Sequence, residues 1–173
     1  MNDFKPTILI DTREQTPLLF KNLPFITGTL TSGDYSILGA QELFAVERKS
    51  IADLVMSCTT ERERFERELH RLRGYRFARL LIVGAESEIA THRYRSNANP
   101  KAILHSLAAF EIRYNVPVIF EPLEDRAAVL IERWAFWFAR EIQRTAGQLE
   151  GAHPADIAPT DQSAHGAIVG RKF

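Results

Sequence analysis

The sequence predicts an α/β protein of three layers, helix on sheet on helix, around a central mixed sheet. Three observations predict it. Strand-like and helical segments follow one another in the order strand, hairpin pair, helix, helix, strand, helix, strand, helix. The run Arg79–Gly84, RLLIVG, is apolar without alternation, as in a strand covered on both faces. Two β-rich runs, Thr29–Leu38 and Leu43–Lys49, are joined by Gly39-Ala40-Gln41-Glu42, a link suited to a hairpin, which adds an antiparallel pair. At 173 residues, 45% hydrophobic and 25% charged, the chain suits one globular domain, expected over residues 1–146, with a flexible Gly-, Ala- and Pro-rich tail over 147–173.

Taken in order, Thr7–Asp11 is a compact apolar strand ending in an acid, and Thr12 to Pro17 is its polar exit. Phe20 to Gly28, with Pro24, reads as an irregular connector. In the second strand of the hairpin pair, residues two apart share a face, so Glu47 and Lys49 point one way while Val46 and Arg48 point the other. Ser50 opens a helix to about Met56 that carries Ile51, Leu54 and Val55 inward; Ser50 and Asp53 have capping-box spacing. Thr60 with Glu63 marks a second capping box, before a helix whose Phe65, Leu69 and Leu72 form an apolar stripe closed by Gly74. The outer face of that helix alternates arginine with glutamate, including Glu68, and Glu63 is spaced to pair with Arg67. His92 to Asn97 is a polar loop holding Arg93, Tyr94 and Arg95, which suits either a DNA-facing rim or a solvated loop. Asn99 caps a helix with Pro100 at its first position and Leu104, Leu107 and Ala108 as its core stripe; Lys101 in its first turn opposes the helix dipole, a small cost that suits a phosphate contact. Val116–Glu121 is a strand whose Pro117 argues for an edge. Asp125 to about Thr145 is apolar over so much of its circumference that it asks for two partners, the core and a second copy of the chain, so a homodimer is expected.

Bulk charge names no partner: 22 basic and 22 acidic residues cancel, so nucleic-acid binding, if present, is local. The single cysteine, Cys58, excludes an internal disulfide framework, and the five histidines lack zinc-ligand spacing, which leaves oxygen donors for any metal. No run reaches membrane-spanning length, and a cytoplasmic protein is expected.

The chemistry concentrates between Leu30 and Leu54. Asp34 follows Gly33 at a break in one strand, aimed at Glu47 in the next, so two acids and Lys49 converge. Burying such a cluster is costly, because each charge loses hydration and adjacent carboxylates repel. A hard divalent cation such as Mg²⁺ removes the difficulty, since it takes one or two carboxylates and keeps waters for exchange. Lys49 beside it orients the attacking water, helps deprotonate it or holds the phosphate under attack. This is a constellation for phosphodiester hydrolysis.

Gly33-Asp34, Glu47-Arg48-Lys49 and Asp53 resemble the G-D, E-R-K-x-x-x-D signature of the XPF/Hef structure-specific nuclease domains, within the PD-(D/E)xK superfamily, and the chain resembles a bacterial or phage single-domain member. Ile10 to Glu14, IDTRE, resembles the opening motif of the same domain. The resemblance covers about residues 7 to 145 and implies a restriction-endonuclease-like fold. It also implies Mg²⁺ or Mn²⁺ as cofactor and cleavage of DNA near flaps and forks, in repair or recombination. It implies Asp34 and Glu47 as metal ligands, with Asp11 or Glu14 completing an acidic lip, and Lys49 placing the water. Arg48 braces the carboxylates, Asp53 acts in catalysis or as a cap residue, and Arg13 reaches a phosphate or braces an acid. Arg62 stands where the family has a phosphate-facing arginine, although Glu61 replaces the expected glycine. Larger relatives append a helix-hairpin-helix pair for which this chain has no room, so a simpler substrate, or a protein partner reached through the tail, is also expected. The competing expectation is a non-catalytic DNA-binding scaffold subunit.

Overall fold

In the computed structural model, which describes residues 4–151, a six-stranded sheet runs in the order β2-β1-β3-β4-β5-β6. The strands are β1 (Ile8–Asp11), β2 (Phe25–Gly28), β3 (Tyr35–Ile37), β4 (Phe44–Ser50), β5 (Phe77–Val83) and β6 (Val118–Glu121). β3 is antiparallel to both of its neighbours, while the β1–β2, β4–β5 and β5–β6 pairs are parallel. Every strand but β3 therefore ends at the same edge of the sheet, and Asp11 and Ser50 both lie there.

Alternation along β4 builds two cores. Ala45 joins Leu80 and Ile82 beneath α1 (Ile51–Cys58), α2 (Arg62–Leu72), α3 (Glu86–Ala90) and α4 (Pro100–Tyr114). Phe44 and Val46 join Ile8, Ile10, Tyr35, Ile37 and Leu81 on the other face, against Leu18 and Phe20 and the Ala127, Ala128, Ile131 and Ala135 side of α5 (Glu124–Gly151). This is the expected three-layer α/β/α architecture with a mixed sheet. Contacts divide the chain into two compact units, 1–140 with the whole sheet and 141–173; within the second, Arg144 pairs with Glu141. Residues 147–151 continue α5 where a tail was expected, and the rest of that segment lies outside the described residues.

Several boundaries moved, each for a tertiary reason. Phe25–Gly28 is an edge strand, because β1 supplies its ladder partner even though Phe25 and Ile26 stay exposed. Residues 29–34 are irregular, because the backbone of Leu30 is satisfied by side chains: its N–H donates to Asp11 and its carbonyl accepts from Arg13. Thr60 caps nothing; the turn after α1 is closed by Glu61 N–H on the Met56 carbonyl, which leaves Glu61 at the cap position of α2 without a side-chain cap bond. The pairs along α2 are Arg62–Glu66 and Arg64–Glu61, not Glu63–Arg67. The buried face of α4 is Ile103, Leu107, Phe110 and Tyr114; Leu107 is in the core as expected and Leu104 packs partly buried against it, and the Asn99 cap and Pro100 start are as expected.

Candidate active site

The site begins with a backbone break. Gly33 has φ +79, and a Cβ there would stand 3.2 Å from the Val46 carbonyl oxygen and 3.3 Å from the Ala45 Cβ, so the sharp turn against β4 favours glycine. The next residue, Asp34, lies between two strands: its N–H donates to the Val46 carbonyl (2.9 Å) and its carbonyl accepts from Asp11 N–H (2.8 Å). Its carboxylate takes over where the β3–β4 ladder stops, with Oδ2 accepting from Arg48 N–H at 2.7 Å.

On the α1/α2 side of β4, Lys49 Nζ donates to Glu47 Oε1 at 2.7 Å and lies 4.8 Å from the centre of the Phe65 ring. Glu68 Oε2, from α2, is 3.9 Å from the same ammonium. Glu47 is buried, and its second oxygen, Oε2, has no hydrogen-bond partner. Burial, and then the charge of Asp34, hold the Glu47 carboxyl well above the usual carboxylate range. Burial likewise pushes Asp34 up to about 6, against the Arg48 N–H bond, with Glu14 adding to the rise. Burial works against the Lys49 ammonium, yet Glu47 and then Glu68 and Asp34 outweigh it and hold its pKa above the ordinary lysine value.

On the opposite side of β4, Arg48 makes a two-pronged pair with Glu14, Nε to Oε2 and Nη2 to Oε1 at 3.0 Å each, and also donates to Thr16 Oγ1. Asp11 is as fully engaged: it accepts from Arg13 N–H, Nε and Nη2 and from Leu30 N–H. Burial favours the protonated form of both acids, but the arginine bonds win, and both carboxyls sit below their ordinary values. Asp11 and Glu14, expected to complete an acidic lip, are each engaged by an arginine and by backbone N–H.

The orphaned Glu47 oxygen beside Asp34 fits a divalent cation, which would meet an anionic oxygen that nothing else satisfies. Among the described residues no cluster of three or more His, Cys, Asp or Glu side chains is arranged as a ready-made ion cage. A pair of carboxylates is what Mg²⁺ ordinarily takes from a protein.

Asp53 is exposed and bound into the α1 cap: its N–H donates to Ser50 Oγ, and Ser50 Oγ donates to its Oδ2. Of the expected DNA contacts, Arg13 is 67% exposed and within electrostatic reach of Asp34 and Glu68. Arg62 is tied to Glu66 and Ser106 across the α2–α4 junction, over the Phe110 ring. Arg93 donates to Thr91, and Arg95 and Lys101 are exposed. No interaction among the described residues joins these last four to the acidic cluster. Glu68 belongs by sequence to the outer face of α2, and nothing in a helix of alternating charge marks it out. Its one signal was position, three residues after Phe65 and next to Leu69 on the apolar stripe. Arg71, three residues further on, donates to Ser32 Oγ at 3.3 Å and so ties α2 to the turn that precedes Asp34.

Fold and site together define a class, an α/β/α domain with paired carboxylates and a lysine where two strands meet. The ERCC4 domain family model matches residues 10–132, and the chain belongs to that family. Its fold is similar to that of XPF from Aeropyrum pernix, with TM-score 0.63 and 21% identity over 83% of this chain and 70% of that one. It is also similar to XPF from Aeropyrum pernix in complex with DNA, with TM-score 0.61 and 21% identity over 79% of this chain and 66% of that one. The chain thus spans about two thirds of those structures. Among curated proteins none matches.

Proposed function

We propose that the protein is a metal-dependent DNA endonuclease that hydrolyses phosphodiester bonds at branched, flapped or forked DNA, in repair or recombination. The observation that carries this reading is the buried, unpartnered Glu47 Oε2 next to Asp34 and the Lys49 ammonium. Asp34 and Glu47 are the residues that would hold Mg²⁺ or Mn²⁺, which when bound supplies a polarised phosphoryl oxygen and an activated water. Lys49, 2.7 Å from Glu47 Oε1, is assigned to positioning the attacking water or the phosphate. Arg48 and Glu14 brace the strand from behind; Asp11 fixes Arg13 at the rim, where its exposed guanidinium meets a DNA phosphate. Arg62, Arg93, Arg95 and Lys101 are assigned to more distant backbone contacts. Support for DNA as substrate comes from family membership and from the XPF relative solved with DNA.

Two assembly features belong to the same reading. Trp137, 63% exposed on α5, with Val129 on the same helix, offers an apolar surface for a homodimer. No helix among the described residues is long and apolar enough to cross a membrane, and we place the enzyme in the cytoplasm.

The test is cleavage of a panel of linear, flapped and forked duplexes with and without Mg²⁺, with Asp34→Ala as control. Cutting that needs both the cation and Asp34 supports the enzyme. Tight DNA binding without cutting of any substrate supports the scaffold alternative.

A further inference from the structure

Lys49 lies between two carboxylates, at 2.7 Å from Glu47 Oε1 and 3.9 Å from Glu68 Oε2. The nearer one is the carboxylate whose other oxygen is buried without a partner. A divalent cation and an ammonium on one carboxylate repel each other, so whatever engages Glu47 drives Lys49 away from it. Among the described residues the Glu68 carboxylate has one ion pair, with Lys49, and Arg13 in wider electrostatic reach; its side chain is 22% exposed, enough shielded for the attraction to count. Its helix is fixed beside the site: Phe65, Leu69 and Leu72 are buried in the core and Arg71 is bonded to Ser32. The Phe65 ring borders the path of the ammonium. Closing the 3.9 Å gap to the about 2.8 Å of a charge-assisted hydrogen bond needs a shift of about 1 Å, within reach of a lysine side chain.

We propose that Glu68 is a positioning residue that receives the Lys49 ammonium when a divalent cation engages Glu47. The proposal rests on the two-carboxylate reading above and deepens it. Glu68 lowers the cost of freeing Glu47 and holds Lys49 inside the site, instead of letting it swing into solvent.

The test is calorimetric titration of the full chain, without DNA, with Mn²⁺ alone. The variants are wild type, Asp34→Asn, Glu68→Gln, Lys49→Met and the Glu68→Gln/Lys49→Met double variant, each checked for folding by thermal melting. Because Glu68 acts through Lys49, Glu68→Gln is expected to weaken Mn²⁺ binding about tenfold when Lys49 is present and less than about threefold when it is Met. A direct ligand or a merely structural residue would not show that dependence on Lys49. Equal effects of Glu68→Gln in the two backgrounds, with Asp34→Asn still abolishing binding, overturn the role of Glu68 and leave the metal pair standing. Failure of wild type to bind Mn²⁺, or titration of Asp34→Asn like wild type, overturns the metal pair and the proposal with it.

Discussion

The two sides of β4 handle the same residue types in opposite ways. Behind the strand, Glu14 and Arg48 are matched two bonds to two, with side chains only 6% and 13% exposed. In front of it, Glu47 and Glu68 share the Lys49 ammonium, with Asp34 and Arg13 in wider electrostatic reach, and one Glu47 oxygen has no hydrogen-bond partner. The first arrangement spends its charges on holding strands together. The second keeps a surplus of negative charge that folding alone does not reward, and such a surplus is expected where a ligand is to supply the missing cation.

The sharpest way to break this comparison is to remove one charge from each side. Asp34→Asn keeps an acceptor for Arg48 N–H but removes the charge that acts most on Glu47. Cleavage is expected to fall by at least about 10²-fold, the scale of losing one electrostatic contact to a reacting centre, while the melting temperature of the metal-free protein stays level or rises. Glu14→Gln is expected to do the reverse in stability: it leaves Arg48 buried without its anion and costs about 3 kcal/mol in denaturant unfolding. Equal destabilisation by the two variants would mean that both sides are structural.

Acid separates the sides next. Asp34 has its pKa raised to about 6, so between its ordinary value and that point the folded protein holds a proton the unfolded chain has released, and stability falls as pH rises. Glu14 and Asp11 are shifted down, so their stabilisation is present at neutral pH and is lost only as pH falls through their lowered folded values. Metal-free protein is therefore expected to be more stable near pH 5 than near pH 7.5, by about 1.4 kcal/mol from Asp34 alone, and to melt correspondingly higher. Mg²⁺ should restore stability at pH 7.5 and less at pH 5, where Asp34 holds its proton. A melting temperature that climbs steadily from pH 5 to 7.5 without metal would contradict the assignment.

How much of this was legible follows from how far apart the interacting residues lie in the chain. The strand alternation that puts Glu47 and Lys49 on one face, and the glycine break that frees Asp34, are local patterns, and so is the Asn99-Pro100 helix start. The Glu14–Arg48 pair spans 34 residues, and no local pattern says which arginine will claim which acid. Glu68 was hidden for a related reason: in Arg62–Leu72 charges stand on every side, and only the packing of Phe65 and Leu69 on the sheet decides which glutamate faces Lys49. β2 was missed because an exposed Phe-Ile-Thr-Gly edge becomes a strand only when β1 offers it hydrogen bonds.

Asp53 gives the smallest test, since the cap bonds place it with the structural set although its position in the signature suggested chemistry as well. Ser50 Oγ accepts from Asp53 N–H and donates to Asp53 Oδ2, and Asp53 stands in the first turn of α1, where a negative charge favours the helix dipole. Ser50→Ala removes both bonds and is expected to cost about 1 kcal/mol, with Asp53→Asn costing about half of that because only the charge is lost. If Asp53 serves only the cap, cleavage by both variants should follow their stability and recover fully on cooling below the unfolding range. A deficit of more than about tenfold in Asp53→Asn alone, at a temperature where both variants are folded, would move Asp53 to the front of the strand, because a cap worth so little cannot account for such a loss.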